Sequence, residues 1–139
     1  MKRLNILSLA ITLMVCSCGP TLQKQNNVAE TAPEKQYKFQ VLYPQPTDAT
    51  QFNRDYARHL VLLDSLMGYS QQGKPYYITK MNQEVFGNLA PYYQMFTMAF
   101  ETREELEATI NSKEMEVAGK DALRISSGGA PIVLIGRDE

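Results

Sequence analysis

Between residues 51 and 68 the chain repeats its large apolar side chains at helical spacing. Phe52, Tyr56, Leu60, Leu63 and Met67 follow one another at steps of four and three, which gathers them on one face of a helix. Thr47 and Asp48 are available as N-caps, and Gly68 stands where a helix commonly ends in a left-handed residue. Before this helix the period changes to two. Tyr37, Phe39, Val41 and Tyr43 alternate with Lys38, Gln40 and Leu42, a strand closed by Pro44-Gln45-Pro46, where proline cannot serve a ladder.

The remaining elements follow by the same rules. Tyr76–Met81 is a short run rich in aromatic and β-branched residues, hence a strand. Tyr92–Phe100 is apolar on both alternating faces and predicts a central strand covered on both sides. Thr102-Arg103-Glu104-Glu105 is a capping box that starts a helix through Leu106 and Ile110. A second helical piece begins near Asn111-Ser112 and places Met115, Ala118, Ala122 and Ile125 on one face. Gly119 should weaken or bend it, at about 1 kcal/mol relative to alanine. After Ser126-Ser127-Gly128-Gly129, the run Ile132–Ile135 predicts a buried strand. The order β-α-β-β-α-β is that of an α+β, ferredoxin-like fold: a four-stranded antiparallel sheet with helices on one face. Its other face is left apolar and uncovered, which predicts a homodimer, since a second copy of the same sheet would cover it.

The chain has 139 residues, and its ends narrow the folded part. Met1-Lys2-Arg3 precedes an apolar run too short to span a bilayer of about 30 Å, as in an export signal. Val15-Cys16-Ser17-Cys18 resembles the lipobox of bacterial lipoproteins, with Cys18 as the lipidated residue. The expected division is a lipoprotein signal peptide over 1–17, lipidated Cys18 with a flexible linker over 18–36, and a folded domain over 37–139. Such a protein is expected in the cell envelope, held by its lipid to the periplasmic side of the outer membrane. The linker would keep the domain roughly 20–25 Å from the lipid. Loss of Lys2 and Arg3 takes the basic residues from 14 to 12 against 15 acidic ones, a net charge near −3. Without a basic run, nucleic acid is not an expected partner.

His59 is the only histidine, at the edge of the apolar helix face, four residues after Asp55 and three after Tyr56. All three side chains can meet along one side of the helix. An imidazole exchanges protons near neutral pH, so His59 is the candidate acid/base, with Asp55 holding one ring nitrogen and Tyr56 supplying a hydroxyl. The ligand would be a small aromatic or polyketide-like molecule in a pocket lined by Tyr43, Phe52, Phe96 and Met98. The competing reading makes His59 a half-buried helix residue paired with Asp55. Once Cys16 is removed and Cys18 lipidated, no thiol remains, and one histidine offers no set of metal ligands. Ser127-Gly128-Gly129-Ala130 enters a strand, whereas a phosphate loop would open a helix. No cofactor is expected; haem ligation by the single histidine is the alternative.

Over Phe39 to Gly136 the chain resembles the EthD-like branch of the dimeric α/β-barrel superfamily. The resemblance is carried by Val41-Leu42-Tyr43-Pro44 with Pro46 and Asp48, by Phe52 and the His59-to-Gly68 helix end, and by Pro91-Tyr92-Tyr93. It continues in Phe100 before the capping box and in Ser127-Gly128-Gly129 before Ile132–Gly136. It implies a homodimer of facing sheets, a pocket between sheet and helices with the histidine of the first helix beside it, and an oxidoreductase. Asp55 and Val61 stand where relatives usually carry an aromatic residue and a proline. A non-catalytic ligand-binding or assembly module of the envelope is the other class this domain would suit.

Overall fold

The computed structural model describes residues 37–69 and 73–139. The expected signal peptide, Cys18 and the linker therefore lie outside the described residues, as do Ser70, Gln71 and Gln72. The elements are β1 (Tyr37–Pro44), α1 (Ala49–Met67), β2 (Tyr76–Lys80), β3 (Tyr92–Phe100), α2 (Arg103–Ile110), α3 (Lys113–Ile125) and β4 (Ile132–Arg137). The strands form one antiparallel sheet in the order β2-β3-β1-β4. This is the ferredoxin-like arrangement that the element order predicts, with the second helical region in two pieces.

Local chemistry places the helix ends. The Asp48 carboxylate accepts from Gln51 N at 2.9 Å and caps α1. Gly68 closes it in the left-handed region at φ +68, where a Cβ would be strained. Thr102 caps α2 through Glu105 N, and Ser112 caps α3 through Met115 N, each at 3.2 Å. α3 runs unbroken through Gly119.

The sheet register sets which side chains meet the helices. Val41 faces Phe96 and Val133, Phe39 faces Met98 and Ile135, and Tyr43 faces Gln94. Partners across a ladder share a face, so these residues form one surface, against which α1, α2 and α3 pack. The core is Val41, Tyr43, Phe96, Met98 and Phe100 from the sheet with Phe52, Tyr56, Leu63, Leu106, Ala118, Ala122 and Ile125 from the helices. The opposite face carries Gln40, Leu42, Met95, Thr97, Tyr77, Ile132 and Leu134, and no described helix lies on it.

Two elements differ from their sequence readings: β3 is central, as expected, but helices cover it on one face only, and the last strand is not buried. Ile132–Ile135 is not a buried strand but an edge strand, and its four apolar side chains are 43–58% exposed. An apolar run is buried only if something covers it. Here α2 packs on β1 and β3, α3 packs on α1, and nothing in the described chain covers β4.

Two contacts tie the periphery to this frame. The Asp64 carboxylate, near the end of α1, takes the Lys74 ammonium and the Tyr76 hydroxyl, both at 2.6 Å, and so fastens the start of β2. Burial alone would raise the Asp64 carboxyl, but these two hydrogen bonds and the Lys74 charge hold it below 3.8. At the other end, a Cβ on Gly128 would lie 1.9 Å from the Gln45 carbonyl oxygen. The turn before β4 thus rests directly on the turn after β1, helped by Thr47 N donating to the Ser127 hydroxyl at 3.2 Å. Gly128→Ala must push two backbone segments apart, and is expected to cost about 2 kcal/mol in urea denaturation, within the range of overpacked sites. An unchanged midpoint would show that the turns do not bear on each other.

Candidate functional site

α1 carries His59 one turn beyond Tyr56, and the packing of the aromatic face fixes its direction. Tyr56 stacks on Phe52 with ring centroids 5.5 Å apart, and both meet Tyr43 of β1 edge-on, at 5.4 and 5.5 Å. With that block seated on the sheet, His59 points into the seam between α1 and α3, where its side chain is 6% exposed. There its Nδ1 lies 3.0 Å from Asp121 Oδ2 of α3. The second carboxylate oxygen, Oδ1, accepts from Arg124 Nε at 2.8 Å and from Nη2 at 2.7 Å.

These contacts push the two pKa values in definite directions. Burial alone would raise the Asp121 carboxyl, but hydrogen bonds from Arg124 and His59, with the charge of Arg124, hold it below 3.8. For His59 burial is the larger influence. It pushes the imidazole below 6.5, against the hydrogen bond and charge of Asp121, while Arg124 adds to the lowering. At neutral pH the pair is therefore a carboxylate and a neutral imidazole. An anionic acceptor on Nδ1 assigns the proton to that nitrogen and leaves the Nε2 lone pair free.

His59 lines a cavity of about 110 Å³ between the sheet and the helices. Phe39, Val41 and Tyr43 of β1 and Phe96 of β3 form its floor. Leu63 of α1, Ile110 of α2, and Met115, Ala118, Gly119 and Ala122 of α3 complete it. The lining is mostly apolar, with two groups of different chemistry, the imidazole and the Tyr43 hydroxyl. That hydroxyl makes no hydrogen bond to a described residue. Burial and the nearby negative charge of Asp121 keep it protonated far above neutral pH. Beside it the Tyr56 hydroxyl is raised by burial, and the neighbouring Gln94 amide lies close enough to oppose this, although Tyr56 Oη and Gln94 Nε2 form no hydrogen bond of good geometry. Neither residue lines the cavity.

The sequence-derived site is thus only partly assembled. Tyr43 and Phe96 line the cavity with His59. Phe52 is buried in the ring block, and Met98 is fully buried with its sulfur facing the Tyr69 hydroxyl at 3.7 Å. Tyr56 sits beside His59, its ring centre 5.7 Å away, without bonding to it. Asp55 does not hold the imidazole. Its carboxylate takes Gln51 Nε2 at 2.7 Å and Arg58 Nη1 at 3.4 Å on the outer side of α1, where those partners are within reach. The carboxylate on His59 is Asp121, 62 positions away. The only local sign of it was an acid flanking the apolar stripe of α3, with Arg124 three residues on.

The cavity is of the order of one that accepts a single benzene ring, about 150 Å³. Among the described residues no group of three or more metal-ligating side chains converges.

A loss of stability on acidification follows from His59. Its folded value lies below 6.5, so between that value and 6.5 the unfolded chain binds a proton that the folded chain refuses, and stability falls with pH. Asp121 and Asp64, both held below 3.8, contribute stability that is lost only as pH drops past that value. Thermal midpoints are therefore expected to be flat above pH 7 and to decline from about pH 6.5 downward. In His59→Gln the decline should begin only near pH 4. Because the chain has one histidine, superimposable profiles for the two proteins would contradict this assignment.

No protein-family model matches the chain, and no curated protein matches it. Solved structures do. An ethyl tert-butyl ether D (EthD) family protein from Bacillus halodurans is 24% identical, with 75% of this chain covering 99% of that one at a TM-score of 0.61. A dimeric protein of ferredoxin-like fold and unknown function from Bacteroides fragilis is 9% identical, with 77% covering 100% at 0.53. An EthD-like protein from Ralstonia eutropha is 20% identical, with 74% covering 91% at 0.52. The chain has the ferredoxin-like fold of these EthD and dimeric proteins.

Proposed function

We propose that the domain binds a small molecule in the cavity and moves a proton on it. His59 is the base through Nε2, Asp121 positions the imidazole and stabilises it when charged, and the Tyr43 hydroxyl donates to the oxygen on which negative charge develops. The observation that carries this reading is the buried His59–Asp121 pair opening onto an otherwise apolar cavity. An imidazole lowered by burial is largely unprotonated at pH 7, as a base must be, and stays close enough to neutrality to return the proton. A half-buried helix histidine paired with Asp55 would not need a carboxylate from another helix.

In the oxidative role that the EthD resemblance suggests, His59 would take the proton and an external electron acceptor would have to take the two electrons from the resulting anion. The domain acts as a homodimer on this reading, the open sheet face with Leu42, Met95, Ile132 and Leu134 packing against its copy. The dimeric Bacteroides fragilis protein of the same fold supports that arrangement. Cys18 would hold the dimer at a membrane.

Proton exchange in deuterated water tests the chemistry without a known substrate. The protein should speed exchange of acidic C–H protons in a panel of small ketones and cyclic 1,3-diketones, followed by NMR. His59→Ala should lower the rate by about 10² to 10⁴, the usual worth of a positioned acid/base, and Asp121→Asn by less. Equal rates in wild type and His59→Ala would remove the proposal and leave a ligand-binding module. Light scattering on residues 37–139 should give the mass of two chains, and a monomer would refute the paired sheets.

A further inference from the structure

Gly119 is out of place by ordinary helix rules. It sits in the middle of α3 with a helical backbone, so no special φ demands glycine there. A Cβ built on it would meet nothing within 4 Å, so no close approach demands glycine either. Alanine at this position would make a more stable helix. What distinguishes the position is where it lies: Gly119 lines the cavity and is also exposed to solvent, so it stands at the mouth. The wall behind it is equally small, since Ala118 and Ala122 also face the cavity and are buried. Helix and sheet therefore stay apart where Val41 and Tyr43 would otherwise be covered by larger side chains.

We propose that Gly119 is the specificity-determining position of this cavity, holding its mouth open for a ligand of one six-membered ring whose oxygen reaches the Tyr43 hydroxyl. The inference rests on the reading of the cavity as the ligand site. The size follows from the volume of about 110 Å³. The oxygen follows from Tyr43, a cavity-lining residue whose hydroxyl makes no hydrogen bond to a described residue. A Cβ at 119 meets no neighbour within 4 Å, so a side chain there has room to occupy the entrance without displacing the backbone.

Calorimetric titration of phenol and of 2-naphthol into wild type, Gly119→Ala and Gly119→Leu tests this, with thermal melts of each. Phenol should bind wild type, and 2-naphthol should bind it at least about tenfold more weakly. Gly119→Leu should weaken phenol by about tenfold or more, with Gly119→Ala between. Both variants should melt a few degrees higher than wild type, so lost binding would not come from lost folding. No phenol binding to wild type, equal binding of the two ligands, or phenol affinity within about twofold in Gly119→Leu would overturn the proposal. Proton exchange that depends on His59 but ignores position 119 would sink this inference and leave the proton-transfer reading standing. Size-selective binding governed by Gly119 without any exchange would do the reverse.

Discussion

The pairing of β1 on both sides is the constraint from which the rest of the molecule follows. Held between β3 and β4 in fixed register, β1 must send Tyr37, Phe39, Val41 and Tyr43 to the helix side and Lys38, Gln40 and Leu42 to the other. A slip of one residue would exchange these sets and put a lysine and a glutamine under the helices. With the register fixed, Tyr43 is the post against which Phe52 and Tyr56 pack, and those rings fix the rotation of α1 about its own axis. The Asp64–Lys74–Tyr76 cluster fastens the other end of the helix. His59 has little freedom left after that.

The seam between α1 and α3 is where burial and pairing are set against each other. A neutral histidine loses little on burial, whereas the carboxylate it meets must be hydrogen-bonded to remain charged. Asp121 satisfies this by keeping one oxygen on the imidazole and the other on Arg124, whose side chain is 60% exposed. The pair thus has a dry side on the cavity and a wet side on the surface. Protein interiors are close-packed, and a void beside such a pair is unusual. It exists because the α3 positions facing β1 are Ala118, Gly119 and Ala122, and their lack of volume is the other half of the site's construction.

Much of the fold was legible because the signals that specify it are local. Period-two alternation gave β1 and β3, the four-and-three spacing gave α1, and Asp48, Gly68, Thr102 and Ser112 marked helix ends through hydrogen bonds and dihedrals reaching no further than a few residues. Element order along the chain then selected the ferredoxin-like topology. His59 as the residue of chemical interest was also legible, being the only histidine and lying at the edge of an apolar face.

The tertiary structure decided what no local signal could. An apolar run such as Ile132–Ile135 states only that it avoids water; whether anything covers it depends on where α2 and α3 dock, and they dock elsewhere. Asp55 was the natural partner for His59 by helical spacing, yet the docking of α3 brought Asp121 to the imidazole across 62 positions. The sequence by itself determined the elements, their order and the one proton-exchanging side chain, because hydrogen bonding and side-chain periodicity act over short stretches. Helix docking fixed the carboxylate beside that side chain, the cavity it opens on and the glycine at its mouth, since long-range packing sets contacts that spacing along the chain does not encode.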